Sequence, residues 1–145
     1  MSCGSCENGC GCGNGKKYQD VALLILRLAL GIIFVFHGYG KLFGGNPGMT
    51  VFTAMVGGML GFPMAGFFAY AAAFSEFFGG IAMLLGVFTK YASVLIGIVM
   101  IVALAGVKAF KLPAGDVDLA LFAITIAVYI LGPGEYTIRK LMGKK

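Results

Sequence analysis

Four ionisable residues stand inside stretches that are otherwise apolar, and their types are those that could do chemistry. Arg27, His37 and Lys41 interrupt the run RLALGIIFVFHGYGKLFGG, and Glu76 interrupts AFSEFFGGIAMLLG. On a helix advancing 100° per residue, Arg27, Gly31, Phe34, His37, Gly38 and Lys41 fall within an arc of roughly 120°. A charge near the centre of a bilayer costs several kcal/mol unless it is paired or hydrated. A cationic, glycine-lined stripe therefore predicts a partner, and Glu76 is the carboxylate set deep inside another apolar run. One buried carboxylate facing several cations can bind an anionic head group, relay protons, or hold a quinone through histidine and lysine donors. The same four residues can equally form a structural clasp that locks two helices together.

A second constellation sits at the N-terminus. Cys3, Cys6, Cys10 and Cys12 are all the cysteines of the chain, spaced C-x2-C-x3-C-x-C in MSCGSCENGCGCGNGKK. Four thiolates on a flexible glycine-rich segment can wrap Zn²⁺, Cu⁺ or an iron–sulfur centre. The spacing matches neither the usual zinc-finger arrangement nor a ferredoxin run. In a reducing compartment, metal binding or transient thiol exchange is expected in preference to stable disulfides.

Composition says what must position these groups. Hydrophobic residues make up 59% of the 145 residues, charged residues 12%, and the mean hydropathy is +0.94. A soluble domain covers its surface with about 25% charged residues. This chain has half that, which lipid permits and water does not. The net charge of +5 is not a nucleic-acid footprint, because the cations form no basic face with aromatics between them. Six of them, Lys16, Lys17, Arg139, Lys140, Lys144 and Lys145, flank the apolar region at its two ends.

Three segments follow in order. Residues 1–17 form a Cys/Gly-rich tail with too little apolar surface to fold alone, and without the basic start and apolar core of a signal peptide. Residues 18–135 form the membrane domain, and residues 136–145 a basic tail. Span one covers about 21–43. Met49–Leu60 is apolar but too short to cross a bilayer, and reads as an interfacial or re-entrant helix closed off by Pro47 and Pro63. Span two, about 64–88, carries Ala72, Glu76 and Gly80 at i, i+4 and i+8, with Gly79 and Gly86 beside that small-residue stripe. Thr89 and Lys90 are expected to turn the chain into span three, 91–110. Span four, about 117–131, ends at Gly132-Pro133, where a helix cannot continue. Tyr39, Tyr91 and Tyr136 sit at span ends as interface anchors. The expected architecture is all-α: an integral membrane four-helix bundle with a short interfacial or re-entrant helix after span one. Four spans return both termini to one side. The seven cations on that side, against Lys41, Lys108 and Lys111 opposite, predict cytoplasmic termini in the cell membrane.

RLALGIIFVFHGYGKLFG followed by GFPM, then SEFFGGIAMLLGVFTK and the late Gly132, resembles the DoxX family of small four-helix membrane proteins over about residues 21–135. The positions carried over are Arg27, Gly31, His37, Gly38 and Lys41, then Glu76, Gly79, Gly80, Gly86 and Thr89. Lys90 stands where many relatives have arginine. The family includes proteins similar to the small subunit of a thiosulfate:quinone oxidoreductase and others linked to thiol defence. The resemblance thus implies a redox-associated, quinone-interacting subunit, drawing electrons from a partner redox subunit or acting as a homo-oligomer in lipid. The cysteine tail lies outside the resemblance. A non-catalytic scaffold is the competing expectation, and a small-solute or lipid transporter ranks below both. Four short spans leave little room for alternating access.

Overall fold

The computed structural model of the protein describes residues 12–44, 48–61, 63–104 and 116–138. Among these residues every regular element is a helix: α1 (Cys12–Phe43), α2 (Gly48–Leu60), α3 (Ala65–Leu85), α4 (Thr89–Val102) and α5 (Asp116–Leu131). Cys3, Cys6 and Cys10 lie outside the described residues, as do Lys108, Lys111 and residues 105–110 of span three. Helix α1 begins at Cys12, ahead of the apolar run, so it overruns the compositional boundary at residue 17. Once an apolar stretch has nucleated a helix, each further residue adds a hydrogen bond at little cost.

Helix α3 is the centre of the bundle, packed on α1, α2 and α4. Its closest neighbour is α1, which runs antiparallel to it and meets it through glycines. A Cβ placed on Gly38 would lie 2.6 Å from the Phe77 backbone nitrogen, and one on Gly80 would lie 2.8 Å from that of Val35. Gly31 faces Leu84 and the Gly80 carbonyl in the same way. On the opposite side of α3, Gly79 admits Ile96 of α4, whose Cγ1 would be 3.1 Å from an added Cβ. Lipid supplies no hydrophobic drive for helices to associate, so close backbone approach through small residues provides the packing.

The α3–α4 turn differs from the sequence expectation. Helix α3 stops at Leu85, before Phe88, and Thr89 and Lys90 already belong to the first turn of α4. Gly86 is the reason. It adopts the left-handed conformation (φ 67°), and the Gly86 and Val87 amides donate to the Met83 and Ala82 carbonyls, each at 3.1 Å. These two bonds close a helix C-terminus in a Schellman motif, which needs a residue tolerating positive φ.

Leu30, Phe34, Met83, Ile96, Met100 and Val128 join α1, α3, α4 and α5 in one buried cluster. The exterior is apolar as well: Ile25, Phe36, Phe67, Phe78, Ile98 and Ile130 all face outward. A surface of this kind suits lipid and marks a membrane face in place of a hydrated one. α1 and α3 are each long and apolar enough to cross a bilayer. After α5 the chain turns at Gly132 (φ 80°) and Gly134 (φ 69°) and returns to α1. There the Glu135 amide donates to Asp20 Oδ1 at 3.1 Å.

Candidate functional site

Lys41 is on the last turn of α1 and Glu76 is near the middle of α3. The antiparallel approach at Gly38 brings them together. Lys41 Nζ donates to both Glu76 carboxylate oxygens, each at 2.6 Å. Glu76 is 2% exposed, whereas Lys41 is 23% exposed. The lysine thus carries its charge inward along an aliphatic stem to a carboxylate that has no access to water. From the other side, Phe52 of α2 presents its ring face to the ammonium, 4.2 Å from centroid to Nζ. Cation, carboxylate and π face form a closed electrostatic set in a low-dielectric setting, where each contact is stronger than in water.

An apolar groove of about 320 Å³ leads to this pair. Phe52 and Val56 of α2 form one wall, Phe68, Ala72 and Ser75 of α3 the floor, and Leu95, Ile98 and Val102 of α4 the far wall. Phe68, Leu95, Ile98 and Val102 also belong to the exposed apolar exterior, so the groove opens sideways toward lipid. Its volume is at the lower end of the roughly 300–1,000 Å³ typical of sites for small organic ligands. Ser75 does not reach into it as a free donor, because its hydroxyl donates to the Ala71 carbonyl at 2.7 Å.

Arg27 is in a different place. It lies 14 residues before Lys41 on α1, about 21 Å along the helix at 1.5 Å per residue. Its side chain is 1% exposed, and Nη2 donates to the Tyr136 carbonyl oxygen in the segment after α5. Nη1 abuts Gly86, where an added Cβ would collide with it. Gly86→Ala therefore combines a positive-φ penalty with a steric one. We expect it to cost about 1–2 kcal/mol, read as a lowered unfolding midpoint in detergent.

His37 joins neither group. It is at the edge of the stripe's arc and faces outward, and its Nδ1–H donates to the Ile33 carbonyl at 2.9 Å. The stripe is thus divided into a Lys41–Glu76 pair and an Arg27–Tyr136 contact, with His37 on the exterior. Two contributors carried no signal in the sequence. Phe52 is one aromatic among many, and Tyr136 acts through a backbone carbonyl, which every residue type possesses.

The DoxX family profile matches residues 22–109, well over half of the chain. This protein belongs to the DoxX family. The matched stretch runs from Ala22, at the start of the apolar part of α1, through α4. It holds Arg27, His37, Lys41, Glu76 and all of the groove, while α5 and its returning segment lie beyond it. Among relatives, the chain is 29% identical to "Inner membrane protein YqjF" of Escherichia coli (strain K12) over 135 residues, 90% of this chain and 98% of the relative. It is 36% identical to "Putative oxidoreductase CatD" of Bacillus subtilis (strain 168) over 93 residues, 64% of each chain. No solved structure matches the chain. With its apolar exterior and DoxX membership, the protein is an all-α bundle of the membrane.

Proposed function

We propose that this DoxX protein is a redox-associated membrane subunit whose α2–α3–α4 groove takes the ring of a quinone from the bilayer. The observation that carries the reading is an apolar, lipid-facing groove ending on a buried ammonium–carboxylate pair. A quinone joins an apolar ring to two carbonyl acceptors, and its reduction to quinol takes up two electrons and two protons. Lys41 offers a cationic N–H donor to a carbonyl oxygen at the inner end of the groove. Glu76 beside it is the group able to hold and pass a proton there. Apolar walls exclude water from the ring. The name of the Bacillus subtilis relative also points toward oxidoreductase work.

The sequence has no recognisable flavin or haem motif, so the two electrons come from a partner redox subunit. Cys3, Cys6, Cys10 and Cys12 would add a thiol or metal site for Zn²⁺, Cu⁺ or an iron–sulfur centre at the N-terminal end. In this reading α1, α3, α4 and α5 are four spans of the cell membrane with both termini in the cytoplasm, as the distribution of cations favours.

A scaffold without chemistry is the competing reading, favoured by the fact that Lys41 and Glu76 satisfy one another. Ala72→Phe separates the two, because the new ring occupies the groove while the ion pair stays intact. For the full chain in detergent, we expect decylubiquinone binding to weaken by about tenfold or more in this variant, with an unchanged unfolding midpoint. If the parent chain binds no quinone by native mass spectrometry, the quinone reading fails and the scaffold stands.

A further inference from the structure

The guanidinium of Arg27 is buried with most of its hydrogen-bonding capacity unused. Nε and Nη1 have no acceptor, and only Nη2 is engaged, by the Tyr136 carbonyl. Among the described residues no carboxylate pairs with it. Asp20, two turns earlier on α1, is already the acceptor for the Glu135 amide. Three residues beyond Gly86, where an added Cβ would meet Nη1, the hydroxyl of Thr89 is likewise without a partner, although Thr89 is only 3% exposed. Both are donors. The neighbouring Ser93 hydroxyl, in contrast, is satisfied by the Thr89 carbonyl at 2.9 Å. Thr89 also opens α4, and the first amides of a helix have no intrahelical acceptor.

A buried cation without a counter-charge and a buried hydroxyl without an acceptor are each costly, and they flank a single turn. Water could satisfy either as an acceptor, but it would not neutralise the guanidinium. We propose that Arg27 and Thr89, on the two sides of the Gly86–Phe88 turn, bind an oxyanion of the phosphate class. A tetrahedral oxyanion presents several acceptor oxygens, so it can take the Arg27 Nε–H and Nη1–H together with the Thr89 hydroxyl. The open amides at the start of α4 add a favourable dipole. α3 is long and apolar enough to cross a bilayer, so with α3 as a span the turn at its end falls at the level of the head groups. Lys16, Lys17 and Lys90 are exposed at the same end of the bundle. The anion is therefore either the phosphate of a lipid head group or a free phosphate drawn to the surface. This inference is independent of the quinone reading, since Lys41 at the groove lies 14 residues further along α1, about 21 Å away.

The test uses the full chain in a zwitterionic detergent. Its unfolding midpoint is followed while inorganic phosphate replaces chloride at constant ionic strength, and separately while phosphatidylglycerol replaces phosphatidylcholine in mixed micelles. We expect the parent to be stabilised by one of the two additions. A response to lipid alone identifies a head group, and a response to inorganic phosphate identifies a free oxyanion. Thr89→Val removes the hydroxyl at nearly constant volume. It should unfold with the parent when no anion is added, and its half-saturating anion concentration should rise by about tenfold, the loss of one hydrogen bond to a charged group. Arg27→Lys, which lacks the planar fork, should lose the response. The proposal is overturned if neither addition stabilises the parent. It is equally overturned if Thr89→Val responds like the parent or fails to fold in the absence of anion.

Discussion

Glu76→Ala is expected to destabilise the solubilised protein by about 3–5 kcal/mol. The carboxylate is 2% exposed, and both its oxygens are used by Lys41 Nζ at 2.6 Å. Removing it leaves an ammonium aimed at an apolar groove with only the Phe52 ring for compensation. Lys41 would have to swing outward to find water, giving up its packing between α1, α2 and α3. The pair as a whole is worth far less than the loss of one partner suggests, because forming it required two charges to be desolvated. The double variant Lys41→Met, Glu76→Met should therefore recover most of the lost stability while abolishing the charged end of the groove. Equilibrium unfolding of Lys41→Met, Glu76→Met and the double variant measures this coupling. Additive losses would mean that the two side chains do not act as a pair. The same set bears on function. Glu76→Gln keeps the shape and one hydrogen bond, so a folded chain that has lost quinone binding marks a site, and a chain that cannot fold marks a clasp. A folded and active variant would count against both.

Gly38→Ala carries the second large expectation, a loss of about 3 kcal/mol, toward the upper end of overpacking penalties. The added methyl would lie 2.6 Å from the Phe77 nitrogen and 2.7 Å from its Cα. These are backbone atoms of an opposing helix, so no rotamer change can relieve the contact and the helices must separate. Separation is costly here because van der Waals contact is what joins helices in lipid. It would also pull Lys41, one turn further along α1, away from Glu76. Gly38→Ala should thus reduce quinone binding together with stability. Gly40→Ala is the control on the same helix. An added Cβ there meets nothing within 4 Å, so relief of the glycine propensity penalty should stabilise the protein by up to about 1 kcal/mol. Unfolding curves that ranked Gly40→Ala with Gly38→Ala would refute the close-approach argument.

Much of this was readable from residue type and spacing. A 100° advance puts Arg27, Gly31, Phe34, Gly38 and Lys41 on one face of α1, and in the folded chain Arg27, Gly31, Phe34 and Gly38 are buried. The advance places His37 at the margin of that arc, but whether a margin is covered depends on the width of the neighbouring helix, and His37 is outside. The α3–α4 turn lies a few residues earlier than the hydropathy pattern places it. Gly86 ends α3 through its left-handed backbone, and hydropathy does not register conformation.

By itself, the sequence determined that this protein is helical and belongs in lipid. It also determined that its few intramembrane charges need partners, because apolar length, charge scarcity and helical period are properties of the chain alone. Which charge meets which was decided only by the tertiary structure. Lys41 reaches Glu76 because α1 and α3 approach at Gly38. Arg27 turns to a backbone carbonyl beyond α5, and α2 closes a groove that no local pattern encodes. These are contacts between segments far apart in sequence, fixed by helix packing and chain return, and neither residue type nor spacing along one helix carries that information.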